Sequence, residues 1–182
     1  VNSHFITKVT DRDGNILYEF KNEENYILNS KLTFILSEML TYTYDTAFID
    51  YNYPTVISLL PKITNKYAIK TGTTDTDVWI MGYNKNAVLA IWNGYDDNRK
   101  LSSDDNGNHK NIWIDTMEKY NNNLKENSEE IIDAWYEIPD NVIGVVVNPI
   151  TGNIANDNDE KKKLFYFLRG TEPTRSDTYN FE

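Results

Sequence analysis

The chain has 182 residues, 40% hydrophobic and 25% charged, with 13 Tyr, 4 Trp and no Cys. That describes one ordinary globular domain, or one with a small appendage, and it excludes disulfides and cysteine-ligated metals. A net charge of −10 argues against a nucleic-acid binder, which needs clustered Lys and Arg to neutralise phosphates, and disfavours adhesion to anionic lipid. No apolar run approaches the ~20 residues that span a bilayer. The start, VNSHFITKV, has no basic and apolar leader; it enters a strand pattern at once and reads as the middle of a longer protein.

Residues 4–20 read as a hairpin. Phe5, Ile6 and Val9 lead into Asp11-Arg12-Asp13-Gly14-Asn15, and Ile16, Leu17, Tyr18 and Phe20 follow; Asp-Gly between apolar runs is a strong turn signal. Residues 30–43 read as a helix, capped by Asn29 or Ser30. Its Leu32, Ile35, Leu36, Met39 and Leu40 recur at helical spacing and are expected to face the core. Residues 42–65, rich in Tyr and Thr with two prolines, have no clean period and predict a long ordered connection over a surface. Three strands are expected next, at Tyr67–Thr71, Val78–Tyr83 and Ala87–Trp92, the last two joined by the turn Asn84-Lys85-Asn86.

A second amphipathic helix is predicted over 112–124 through Trp113, Thr116, Met117 and Tyr120, followed by a polar linker, NNNLKENSEE. From about 131 the tail has one apolar run, Val142 to Val147, ended by Asn148-Pro149-Ile150-Thr151-Gly152, and reads as a small β appendage. His4 and His109 lack acidic or histidine partners at ligand spacing, so neither a metal nor a catalytic role is expected of them. Asp96-Asp97 and Asp104-Asp105 read as a solvated acidic loop, since a calcium loop needs ligands at alternate positions and a glycine. Trp79, Trp92 and Trp113 are expected in the core, and Lys161-Lys162-Lys163 in a solvated turn.

The stretch that carries chemistry is Lys70-Thr71-Gly72-Thr73. A lysine at a strand end can hold an anion. The two threonines, two apart, point to one side of a strand, and Gly72 lets another backbone lie close. Backbone N–H groups there can stabilise an oxyanion. The combination suits a strand that binds an extended peptide ending in a carboxylate; the plain alternative is a strand end beside a turn. A phosphate loop is set aside because Asn65-Lys66-Tyr67-Ala68-Ile69 has no glycine before the lysine.

The wider context, Lys70-Thr71-Gly72-Thr73-Thr74 with Asp77, Trp79, Gly82-Tyr83, Trp92 and Gly94-Tyr95-Asp96-Asp97-Asn98-Arg99, closely resembles the transpeptidase domain of class A (bifunctional) penicillin-binding proteins, whose superfamily carries a K-T-G motif. FITKVTDRDGNILYEF is similar to the family's hairpin after its second motif, and the helix ending Ser37-Glu38-Met39-Leu40 to the helix before its K-T-G strand. Ile138-Pro139-Asp140, Asn148 to Gly152 and Gly170-Thr171-Glu172-Pro173-Thr174 resemble the region beyond the domain. In this family the residue before the lysine is usually small, whereas here it is Ile69, and Asp75-Thr76-Asp77 is a short connection.

The superfamily also needs S-x-x-K and S-x-N. Ser3, Ser30, Ser37, Ser58, Ser102, Ser103, Ser128 and Ser176 have neither Lys three residues on nor Asn two residues on. The resemblance places both missing motifs before residue 1, together with a membrane anchor and a glycosyltransferase domain. It implies that Lys70 supplies positive charge to the substrate carboxylate and the serine's proton network. Thr71 and Thr73 would offer hydroxyls, Gly72 room, Thr74 a further substrate contact, and the Thr73 N–H half of an oxyanion hole. The intact enzyme would attack D-Ala-D-Ala stem peptides through an acyl-serine and be trapped by β-lactams.

The expected fold is therefore α/β, an antiparallel sheet with packed helices. It is the C-terminal half of a serine β-lactamase/transpeptidase-like domain over 1–125, with a linker and small β extension over 126–182. The expected chain is soluble, needs no cofactor or metal, binds no nucleic acid and is inactive alone. Its parent would sit at the extracytoplasmic face of a bacterial membrane. An exposed sheet edge is expected to favour self-association. A non-enzymatic cell-wall or divisome interaction module with a degenerate transpeptidase-like fold is the alternative.

Overall fold

The computed structural model describes residues 4–21, 27–50, 52–102, 107–127 and 135–174. The hairpin forms from β1 (Lys8–Thr10) and β2 (Ile16–Glu19), paired antiparallel. Asp11 builds its turn, its carboxylate accepting from the N–H groups of Asp13 and Asn15 at 2.9 and 2.8 Å, with Gly14 in the left-handed region at φ 87°. All seven strand residues are exposed.

Helix α1 (Ser30–Thr41) is capped by Asn29, whose side chain accepts from the Lys31 N–H at 2.9 Å. Its buried face is not the expected one. Phe34, Ser37, Glu38 and Thr41 are buried, while Leu32, Leu36 and Met39 stand exposed. The helix is turned so because its polar residues have distant partners. Glu38 takes both the Lys66 ammonium, at 2.6 and 2.7 Å, and the Trp135 indole N–H, at 2.6 Å, and Ser37 meets the Tyr83 hydroxyl at 2.9 Å. A buried carboxylate needs such partners.

The connection after α1 is not only a surface passage. It folds into three short 3-10 helices, Tyr42–Tyr44, Thr46–Phe48 and Ile57–Lys62. Val56 and Leu59 from it are buried in the core. The central sheet follows as β3 (Ala68–Thr73), β4 (Asp77–Tyr83) and β5 (Val88–Gly94), antiparallel in that order. Helix α2 (Asn108–Glu126) covers one face of it. Ile69, Ile80, Trp113, Ile114 and Met117 close the core with Tyr67, Val56 and Leu59.

Trp113 sets the fit between helix and sheet. Its indole N–H donates to the Leu89 carbonyl at 2.9 Å. A Cβ on Gly82 would lie 2.5 Å from the Trp113 ring and 2.8 Å from the Ala68 carbonyl, so only glycine lets the indole seat there. Thr116 and Tyr120, expected on the buried face, are exposed, and His109, Glu118 and Asn121 are buried instead. The supposed linker begins as helix: Asn121, at its start, is fully buried. It accepts from Asn84 and Asn86 at 2.8 and 2.9 Å, fastening the β4–β5 turn. Residues 128–130 of that linker and Asp104-Asp105 lie outside the described residues.

The tail forms two strands, where one apolar run was expected: β6 (Val142–Val147) and β7 (Lys163–Leu168), antiparallel. The second hides in the sequence because Lys161-Lys162-Lys163 abuts it. Those lysines are not a solvated turn. Lys161 pairs with Asp50 and Lys163 with Asp45, while Lys162 donates to the Asp157 carbonyl at 2.7 Å. With Tyr166 edge-on to Phe34 at 5.1 Å and Tyr42 donating to the Leu164 carbonyl at 3.3 Å, they dock the tail on α1 and the turns after it.

Candidate active site on an edge strand

Lys70, Thr71, Gly72 and Thr73 all lie within β3, two residues longer at its end than expected. Its approach is fixed from α2: the Glu118 carboxylate accepts from the Thr64 and Asn65 N–H groups at 2.8 and 3.2 Å and from the Asn65 amide at 2.8 Å. Burial pushes the Glu118 pKa up, but the hydrogen bonds from Thr64 and Asn65 outweigh it and hold the carboxyl below its ordinary value. Ile69, where the resembled family has a small residue, is fully buried against α2 and anchors the strand.

Strand period then divides the motif. Register pairs Lys70 with Met81 and Gly72 with Trp79, on the face opposite Ile69 and Ile80; Thr71 pairs with Ile80 and Thr73 with Val78, toward the α2 face. The backbone alternates too. The Thr74 N–H donates to the Asp77 carbonyl at 2.9 Å, which makes that a hydrogen-bonded pair. Gly72 and Lys70 therefore bond β4, while Thr71 and Thr73 turn their N–H and C=O groups outward. Among the described residues no strand pairs with that outer edge of β3. Lys70 bends over the edge, its ammonium donating to the outward Thr71 carbonyl at 2.7 Å. Gly72 sits where an added Cβ would meet the Trp79 Cβ at 3.4 Å.

Near Lys70 the face that it shares is open, while α1 covers the other end, where Ala68 is fully buried and Tyr83 meets Ser37. Trp79 and Trp92, directly paired across β4 and β5, are 43% and 44% exposed, whereas Trp113 is fully buried; only the last is the core residue expected. Met81 is exposed beside them, and Leu36 and Met39 of α1 are exposed as well. Sequence reasoning missed a cavity of about 340 Å³ at Lys70, lined by Met39, Tyr53, Pro54 and Thr55 among others. A signal that could have found it is the run Tyr53-Pro54-Thr55, inside the connection that lacks a clean period. Thr74 Oγ1 accepts from the Thr76 and Asp77 N–H groups at 3.2 and 3.1 Å, tying the β3–β4 turn.

Elsewhere the chemistry is sparse. His4 stacks on Phe20 at 3.6 Å. Burial, with the Lys110 charge, pushes the pKa of His109 down. Asp96 and Asp97 are exposed, and Arg99 lies over the Tyr95 ring at 3.9 Å. Among the described residues no group of three or more His, Cys, Asp or Glu converges as metal ligands, and no described helix is long and apolar enough to cross a membrane.

The chain is similar to known proteins. The family described as "Penicillin-binding protein 1A, C-terminal domain" matches residues 138–181. Penicillin-binding protein 2D of Bacillus subtilis is 34% identical over 170 residues, which cover 93% of this chain and 24% of that protein. Penicillin-binding protein 1A of Rickettsia typhi is 27% identical over 176 residues, covering 86% of this chain and 22% of the relative. The chain thus spans about a quarter of the length of these curated relatives. The crystal structure of penicillin-binding protein 1A from Haemophilus influenzae superposes with a TM-score of 0.68 at 22% identity, over 96% of this chain and 30% of that one, and so shares the fold. With its helix-backed antiparallel sheet and K-T-G edge strand, the chain belongs to the class A penicillin-binding protein family and corresponds to its C-terminal part.

Proposed function

We propose that this chain supplies the substrate-strand half of a peptidoglycan D,D-transpeptidase site, acting in an enzyme that crosslinks stem peptides through an acyl-serine. The observation that carries the reading is the Lys70–Thr73 edge: an intact K-T-G run whose Thr71 and Thr73 peptide groups face outward, with no strand on that side among the described residues. An extended peptide ending in D-Ala-D-Ala adds there as a further strand. Its carboxylate meets the Lys70 charge and the Thr71 and Thr73 hydroxyls, with Thr74 at the end of the strand, and its developing oxyanion meets the Thr73 N–H. The attacking serine forms the acyl bond as the terminal D-Ala leaves with the serine's proton, and an amine of a second stem then takes the acyl group.

Neither S-x-x-K nor S-x-N occurs in these residues, so the nucleophile reaches this edge from other polypeptide, and the exposed Trp79, Met81 and Trp92 face is where that polypeptide packs. The chain alone is inactive. In this reading residues 1–125 are the transpeptidase part and 126–182 the linker and β extension. The parent works at the extracytoplasmic face of the bacterial membrane, and β-lactams acylate it as substrate mimics. Alone, the chain associates with its own copies through the bare sheet edges.

Incubation with a fluorescent penicillin tests this. The 182-residue chain alone takes no covalent label, and label appears when the preceding polypeptide of the same protein, carrying S-x-x-K, is present. Stoichiometric labelling of the chain alone overturns the split-site reading. No label in either case favours the non-enzymatic interaction module.

A further inference from the structure

A second hollow, of about 520 Å³, lies away from the K-T-G edge, in the seam where β7 docks against the end of α1 and the turns that follow. A volume of that order holds a ligand of one or two rings. Its walls carry two ammonium groups and two carboxylates, each already spent on the other: Lys66 on Glu38, and Lys163 on Asp45. Burial raises the pKa of the Tyr42, Tyr44 and Tyr166 phenols, that of Tyr44 to about 12, so none adds charge near neutrality. The hollow is thus electrically balanced, with no unpaired charge to select an ion.

It does offer free hydrogen-bonding capacity. The Tyr42 and Tyr44 hydroxyls are committed, donating to the Leu164 and Tyr67 carbonyls at 3.3 and 2.9 Å. Among the described residues, the Thr46 and Tyr166 hydroxyls make no hydrogen bond to the protein. Lys66 gives two contacts to Glu38 and keeps a third donor. Leu60, Ile63 and Leu164 supply apolar surface between these groups. Uncommitted hydroxyls, spare donors, tyrosine rings and apolar patches without net charge are the recognition chemistry of an uncharged polyhydroxyl ring.

We propose that this seam binds a neutral saccharide of one or two rings, bridging the C-terminal hairpin and the body of the chain. The site is independent of the transpeptidase reading, since it shares no residue with Lys70–Thr74. Nuclear magnetic resonance of the isotope-labelled 182-residue chain tests it, with N,N′-diacetylchitobiose as the neutral probe and its deacetylated diamine as the cationic isostere.

The expected result is saturable amide shifts confined to Thr41–Thr46, Thr64–Lys66 and Lys163–Tyr166, with the diamine markedly weaker. The Tyr166→Phe variant, which keeps the ring that packs on Phe34, binds about fivefold more weakly, as does Thr46→Val, each losing roughly one hydrogen bond with an unchanged melting temperature. Absence of saturable shifts in the unaltered chain overturns the proposal. So do shifts centred instead on the open Trp79 and Trp92 face, equal binding of the diamine, or affinity unchanged in both variants.

Discussion

The two faces of the central sheet use the same strands to opposite ends. On one, Ile69, Val78 and Ile80 are buried and α2 lays Trp113 over Gly82. On the other, Lys70, Trp79, Met81 and Trp92 are all exposed. A period of two lets one strand do both, because consecutive residues never share a face. The larger buried cluster lies on the α2 side, and Lys70 stands on the other. The free edge of β3 is reachable from both sides, with Lys70 reaching over it from the open face and Thr71 and Thr73 flanking it from the other.

Truncating the same residue type on each face separates their contributions to stability. Trp113→Ala removes a fully buried indole, leaves a cavity and frees the Leu89 carbonyl; it is expected to cost about 3–5 kcal/mol. Trp92→Ala, on a half-exposed ring, is expected to cost about 1 kcal/mol or less. Urea titration at unchanged slope measures both. Equal losses would mean that the open face is packed in the isolated chain.

A smaller effect probes how the sealed side is fastened. Glu118 joins α2 to the run that enters β3, and its folded-state carboxyl titrates below the ordinary value of 4.5. A depressed folded pKa contributes stability that is fully present above the unfolded value and is lost as pH falls through the folded one. Glu118→Gln is therefore expected to lower stability by about 1–2 kcal/mol near neutrality. The gap to the unaltered chain should close on acidification below pH 4.5. A gap that stays constant through that range would place the effect in packing and not in charge.

Much of this division was legible in the sequence, and the failures have one physical cause. Strand spacing alone put Thr71 and Thr73 on one side, and the β3–β5 order followed from apolar runs and the Asn84–Asn86 turn. Helix α1 misled because periodicity ranks residues by hydropathy and cannot see partners far along the chain. Glu38 is buried by Lys66 and Trp135, 28 and 97 residues away, and the apolar Leu32, Leu36 and Met39 stripe is left outside. Trp79 and Trp92 misled for the complementary reason, since aromatic strand residues read as core whether or not anything covers them. The tail's second strand was masked by lysines whose carboxylate partners, Asp45 and Asp50, lie more than a hundred residues earlier.

The smallest expected effect is the most telling about Lys70. Its side chain is exposed, and among the described residues its ammonium makes one hydrogen bond, to the outward Thr71 carbonyl. That carbonyl lies at an edge with no paired strand, so water replaces the lysine when it is removed. Lys70→Met is accordingly expected to change the stability of the chain by less than about 0.5 kcal/mol, as read from the urea midpoint. That outcome would leave Lys70 free for the substrate role proposed above, at the centre of an otherwise well-fastened strand. A loss well above that figure would instead make Lys70 a structural strap for the edge, and would move the functional weight of the motif onto Thr71, Thr73 and the Thr73 N–H.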